Sequence, residues 1–277
     1  MSSPVPANQA RSRPPILRNR WLAFGLAAIV VALLGAGAVG FSYLFLRGPA
    51  PAAVGLSTAS PSAPSADPSG DASATASATA STGASGSSTT TGGGLDGTWN
   101  VDPSIGSFSD FSGSFVGYRV EEELANVGAA TAVGRTPNVT GSVTLSGTTI
   151  TAVDLTADLS TLQSDKSQRD GQLKRQALET STYPTATFKL TKPTELGSAP
   201  ADGQVVQATA TGDLTIHGVT KSVQIPVEAR LSGSVVTVTG SIDILFADYG
   251  MSRPTSFLVL SIADHGTMEF QLQLTKG

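Results

Sequence analysis

Period-two alternation dominates the C-terminal two thirds of the chain. Met268, Phe270, Leu272 and Leu274 alternate with Glu269, Gln271, Gln273 and Thr275. In VVTVTGSIDI, Val236, Val238, Gly240, Ile242 and Ile244 share one face, and in TAVDLTADLS so do Val153, Leu155, Ala157 and Leu159. Successive side chains on a strand point to opposite faces, so each segment predicts a strand with one face buried. SFVGYRVEEEL, VTGSVTLS, TATFKL, VVQATATGDLTI and SVQIPVEARL add further strands, joined by turns such as Ser146-Gly147 and Ser232-Gly233. About eight or nine strands with little helix between them predict an all-β antiparallel sandwich or barrel. One helical pattern interrupts them, in SDKSQRDGQLKRQALETSTYP. Ser167 with Asp170 fits a capping box, Leu173 with Ala177 or Leu178 marks one face, and Pro184 stops any continuation.

The N-terminal third has a different texture. After a basic tail, residues 1–20, comes WLAFGLAAIVVALLGAGAVGFSYLFL, a run of 26 residues without a charge from Trp21 to Leu46. As a helix it would be roughly 39 Å long, enough to cross a hydrocarbon core of about 30 Å. Arg11, Arg13, Arg18 and Arg20 precede it and Arg47 follows it, a bias that places the N-terminus in the cytoplasm and the rest of the chain outside. A signal peptide cleaved after Ala38 is the competing reading. The apolar run continues past that site, which favours a retained single-pass anchor in the cell membrane. Residues 47–94 then form a linker, in which 43 of 48 residues are Ala, Ser, Thr, Gly or Pro. Such a composition buries too little apolar surface to offset the entropy of ordering, and as a flexible coil it spans roughly 35–40 Å.

Composition narrows the chemistry of the remaining domain, residues 95–277. The chain has no cysteine, so disulfides, thiolate metal sites and Cys nucleophiles are excluded. Twelve Lys and Arg against 19 Asp and Glu give this domain a net charge of −7, which argues against nucleic acid as a partner. No Ser-His-Asp constellation, phosphate loop or metal spacing emerges, so no enzyme activity and no cofactor are expected. Arg119 and Arg135 are candidates for an anionic head group, with solvated ion pairs as the alternative. Glu121-Glu122-Glu123 reads as a solvated strand edge.

One of the two histidines sits in GDLTIHGVTKSVQI. Gly212, Leu214 and Ile216 share a face of the incoming strand, and Val223, Ile225 and Val227 share a face of the outgoing one, which leaves His217 to Lys221 as the connection. His217 is therefore expected at a corner, bonded to turn backbone. A metal site with His265 and Asp264 is the rival reading.

LTIHGVTK at Leu214–Lys221, RDGQLKRQALETSTYPTATFKL at Arg169–Leu190 and SIDILFADYGM at Ser241–Met251, in that order, resemble the YceI-like family of polyisoprenoid-binding proteins. The resemblance covers Gly97 to Lys276. It implies a lipocalin-like antiparallel barrel of about eight strands, with the short helix in one connection and a long isoprenoid chain in the lumen. Many members carry an Asp-x-x-His-Ser pattern near the first strand; here Asp102 is followed by PSIGSFSDFSGSFVGYRV, without a His.

An eight-stranded barrel is either filled by its own side chains or wide enough for one small ligand. Ala208, Ala210 and Gly212, with Leu214 and Ile216 further along the same face, are expected to line the lumen together with Phe188, Phe246 and Phe270. Small residues there either leave room for a ligand chain or accommodate a bulky neighbour. The function expected is an extracytoplasmic, membrane-tethered binding protein for an isoprenoid of quinone or polyprenyl type, or another long-chain amphiphile. The alternative is a ligand-free surface module that binds a protein or cell-wall component through the barrel exterior.

Overall fold

The computed structural model describes residues 50–56, 94–125, 127–197, 199–255 and 259–277. The expected membrane helix, residues 21–46, and most of the linker lie outside the described residues. Among the described residues no helix is long and apolar enough to cross a membrane.

The strands are β1 Gly97–Val101, β2 Phe115–Leu124, β3 Gly128–Thr136, β4 Val139–Ser146, β5 Thr149–Asp158, β6 Gln163–Ser164, β7 Thr185–Lys192, β8 Thr194–Glu195, β9 Val205–Ile216, β10 Val219–Ser232, β11 Val235–Leu245, β12 Val259–Ile262 and β13 His265–Lys276. Hydrogen bonding runs in the order β1-β4-β5-β7-β9-β10-β11-β13, and β1 pairs again with β13, so eight antiparallel strands close into a barrel. Closure leaves these strands no free edge. β13 is long enough for two partners on the same side. Its last residues pair with β1, and Thr267 to Gln271 pair with β2, which carries β3 beside it.

The alternation seen in the sequence sorts the side chains. Ala208, Ala210 and Gly212 of β9 are register partners of Val227, Ile225 and Val223 of β10, and all face inward. One buried cluster, around Trp99, Val139, Ala157, Leu272 and Leu274, closes the lower end of the barrel. The other, which includes Leu159, Leu178, Phe188, Leu214, Ile216 and Tyr249, lies toward the opposite end, beneath the helix.

Several expectations need correction. The connection after β9 is two residues long, not five: Ile216 pairs with Val219, and His217 and Gly218 both have positive φ, 52° and 73°. That is the type I′ geometry whose twist suits a tight hairpin. The helix, α1, spans Ser167–Gln172 and continues as a wider turn over Leu173–Ala177. It lacks the capping box, because Lys166 is its N-cap and no side chain caps it. Asp170 instead accepts hydrogen bonds from the backbone N–H of Ser164, at 2.9 Å, and from its hydroxyl, at 2.6 Å.

Candidate functional site

Two cavities lie inside the barrel. The upper one, of about 450 Å³, is walled by β2 and β13, with α1 and the segment around Met251 and Pro254 over it. The lower one, of about 130 Å³, extends toward the closed end between β5, β7, β9 and β10. Val116, Ala186 and Met268 border both, so a single ring of side chains lies between them. The lower cavity is lined almost entirely by aliphatic and aromatic side chains, as a site for an apolar chain requires, whereas the upper one adds a polar side formed by Glu122 and residues 165–169 and 172.

The residues expected from sequence divide between these spaces. Phe188, Phe270, Ala208, Ala210 and Leu214 line the lower cavity. Ile216 and Phe246 line the upper one. Gly212 lines neither, although it faces inward. A Cβ built there would stand 2.5 Å from Cζ of Phe188, so the ring already fills that position. Gly240 and Gly134 receive Phe270 and Tyr118 in the same manner.

Three side chains missing from the sequence-derived set bring polarity to the upper cavity. Glu122 points into the barrel with its side chain 5% exposed, and its Oε1 accepts a 2.7 Å bond from Nη2 of Arg169 on α1. The other arm of Arg169 meets Asp165 at 2.5 Å. Glu122 is therefore not part of a solvated edge. Burial works against the Arg169 charge, but the carboxylates of Glu122 and Asp165 outweigh it and hold the guanidinium above its ordinary pKa. This ion pair fastens α1 to β2 across the upper end of the lumen. Next to it, Tyr118 borders the cavity with its ring, while its hydroxyl is buried without a hydrogen-bond partner. Burial drives its phenol well above the ordinary value, with Arg169 pulling the other way.

The other chemical candidates are structural. His217 Nδ1 lies 3.1 Å from the carbonyl oxygen of Tyr249, the ring packs against Tyr183 with centroids 4.4 Å apart, and Nε2 lies 3.4 Å from Glu179. His265 pairs with Asp264 at 2.8 Å in an exposed turn. No group of three metal-ligating side chains occurs among the described residues. Arg119 and Arg135 do form ion pairs, but these are buried rather than solvated. Both guanidinium groups bind one carboxylate, Glu269, which is 1% exposed.

The family model described as a YceI-like domain matches residues 99–274, and the chain belongs to that family. Matches among solved structures include a polyisoprenoid-binding domain from Saccharophagus degradans implicated in plant cell wall breakdown, at 18% identity over 59% of this chain and 94% of that one, with a TM-score of 0.47. They also include BcnA from Burkholderia cenocepacia, at 21% identity over 62% and 98% with a TM-score of 0.47. The YceI protein of Campylobacter jejuni matches at 17% identity over 52% and 84%, with a TM-score of 0.44. No curated protein gives a significant match.

Proposed function

We propose that the barrel binds the chain of an amphiphilic isoprenoid lipid, of quinone or polyprenyl type, and that it does so outside the cell membrane on an N-terminal anchor. The observation that carries this reading is the pair of cavities, the lower one lined almost throughout by apolar side chains and the upper one apolar along the strands, with its polar residues gathered on the α1 side. Each methylene withdrawn from water there contributes about 0.8 kcal/mol, so a chain of a few isoprene units needs little polar recognition to bind tightly. Family membership supports the ligand class, since a solved protein matched by this chain is described as polyisoprenoid-binding. The charged groups that line the upper cavity, Glu122, Asp165, Lys166 and Arg169, lie on its α1 side, which favours a chain lying tail-down toward Trp99 with its head under α1. The role read from this arrangement is storage or carriage, the use that suits an apolar lumen whose charged groups gather at one end, under α1.

A fluorescent prenyl probe titrated into the purified protein is expected to give a saturable, one-to-one rise in emission that unlabelled isoprenoid quinone reverses. A linear, unsaturable response would sink the reading. The extracytoplasmic placement rests on the arginine bias around Trp21–Leu46. It predicts that protease added to intact cells cuts the Ser/Thr/Ala-rich linker and releases the domain. Protection until lysis would reverse the orientation.

A further inference from the structure

The outer wall of the barrel is not uniformly exposed. Side chains of β2, β3 and β13 that alternate with the lumen-facing ones form a second buried layer. Arg135 is 3% exposed, with its guanidinium 4.3 Å from the ring centroids of both Phe111 and Phe115. Its Nε and Nη2 bind Oε1 of Glu269 at 2.9 and 2.6 Å, and Nε of Arg119 binds Oε2 at 2.7 Å. Two guanidinium groups thus share one carboxylate in a largely dry setting. That leaves a net positive charge and unspent N–H donors, which are costly unless acceptors reach them.

The acceptors come from the stretch read as linker. Arg119 Nη2 donates to the carbonyl of Pro51, and Arg135 Nη2 donates to that of Ala52 at 2.9 Å. Further along, Val54 and Gly55 border a shallow cavity whose other side is formed by Pro226 of β10 and by Thr239 and Ser241 of β11. At the end of the segment the Leu56 N–H donates to Glu228 at 2.7 Å, and Leu56 as a residue is 8% exposed. The chemistry is matched. Proline presents a carbonyl with no N–H of its own, and it meets a guanidinium group, which offers only donors.

We infer that Pro51–Leu56 is a strap seated on Arg119, Arg135 and Glu228, and that this seat, rather than the linker's length, sets how far the barrel stands from the N-terminal apolar run. Only Arg47 to Ala50 lie between Leu46 and the strap. Five Cα steps span at most about 18 Å, where a 48-residue coil would allow roughly twice that on average. The strap's first contact, Arg119, is the register partner of Thr267, two residues from the start of β13 and on the half of the barrel that holds α1 and the upper cavity. The chain therefore leaves the barrel on the side of the lumen's covered end, and the strap turns that end toward the anchor. Residues 99–274 make up the family domain, so the strap lies outside it while its seat lies inside.

The absence of cysteine makes the test direct. In the full chain reconstituted into bilayer nanodiscs, Ala53→Cys on the strap and Lys192→Cys on exposed β7 carry nitroxide labels, and pulsed electron resonance reads the distance between them. One narrow distance distribution is expected. Combining Leu56→Asp with Glu228→Ala, or replacing the strap residues on either side of the labelled position 53 (Pro51, Ala52, Val54, Gly55 and Leu56) by a Gly-Ser sequence of equal length, is expected to broaden it several-fold. The second variant leaves the barrel residues untouched, and thermal unfolding followed by circular dichroism checks that the barrel persists. A broad distribution in the otherwise unaltered chain overturns the strap. A distribution that stays narrow in both variants overturns the seat assigned to it.

Discussion

Phe270 lies across the β11–β13 pair directly over Gly240. The two are register partners, and a Cβ built on the glycine would stand 2.6 Å from the ring's Cζ. Tyr118 and Gly134 are register partners across β2 and β3 in the same relation, and Phe188 lies over Gly212 on the diagonal from β7 to β9. Each ring occupies the place of a missing side chain on the wall. The glycines thus let large aromatic residues face inward without crossing the barrel, and the lumen owes its space to them as much as to alanines.

Gly240→Ala is therefore expected to destabilise the domain by about 1–3 kcal/mol, the usual cost of overpacking, since Phe270 must leave its slot. Urea unfolding measures it. An unchanged midpoint would mean that the ring moves freely and that the slot is not a constraint.

Ala210 tests the opposite situation. It faces the lower cavity rather than a ring, so Ala210→Leu adds volume to space that is already open. The expected change in unfolding free energy is under about 1 kcal/mol, in contrast with the 1–3 kcal/mol of a packed core. A loss as large as that of Gly240→Ala would identify the interior as filled.

Tyr118→Phe removes a buried hydroxyl that has no partner. An unsatisfied buried group costs about 1–3 kcal/mol, so the ligand-free variant is expected to melt at or above the parent temperature. The same residue gives a pH dependence. Its folded pKa is raised by burial, so the phenol stays neutral in the folded state while the unfolded chain ionises near pH 10. Stability is thus complete below about pH 10 and falls as pH rises above it. Tyr249, also raised by burial, adds to the fall. Melting curves from pH 8 to 11 are expected to show a shallower alkaline decline in Tyr118→Phe; equal declines would place the titration elsewhere.

Much of this architecture was legible in the alternation, and the failures have physical causes. VTGSVTLS and VVQATATGDLTI coincide with β4 and β9 because bulky and small polar residues alternate there without interruption. GAATAVGRT, which forms β3, escaped because glycine and alanine give little contrast between faces. The polar face of β13 reads as solvent-facing, yet Glu269 and Gln273 are buried, covered by the Asp102–Ser114 loop and the strap. Tertiary cover of that kind leaves no periodic signal. Glu122 hides in a run of three carboxylates, and only pairing with α1 shows which of them turns inward. The same holds for Gly212, whose role depends on the ring of a neighbouring strand.

At the β9–β10 corner, His217 has a left-handed φ of 52° and a bond to the Tyr249 carbonyl. His217→Asn keeps a residue that tolerates this conformation and should cost only about one hydrogen bond, 0.5–1.5 kcal/mol. His217→Val should add the left-handed penalty, about 1–2 kcal/mol more. Equal losses for the two would remove backbone conformation as the reason for the corner.

The central claim is that the lumen holds a lipid. The most direct measurement is organic extraction of the full chain, purified from its native membrane, followed by mass spectrometry beside an Ala210→Leu sample prepared identically. The account predicts close to one isoprenoid amphiphile per chain in the parent and a marked loss in the variant, with both proteins folded. A parent protein that carries no lipid and takes up none from added isoprenoid quinone would contradict it.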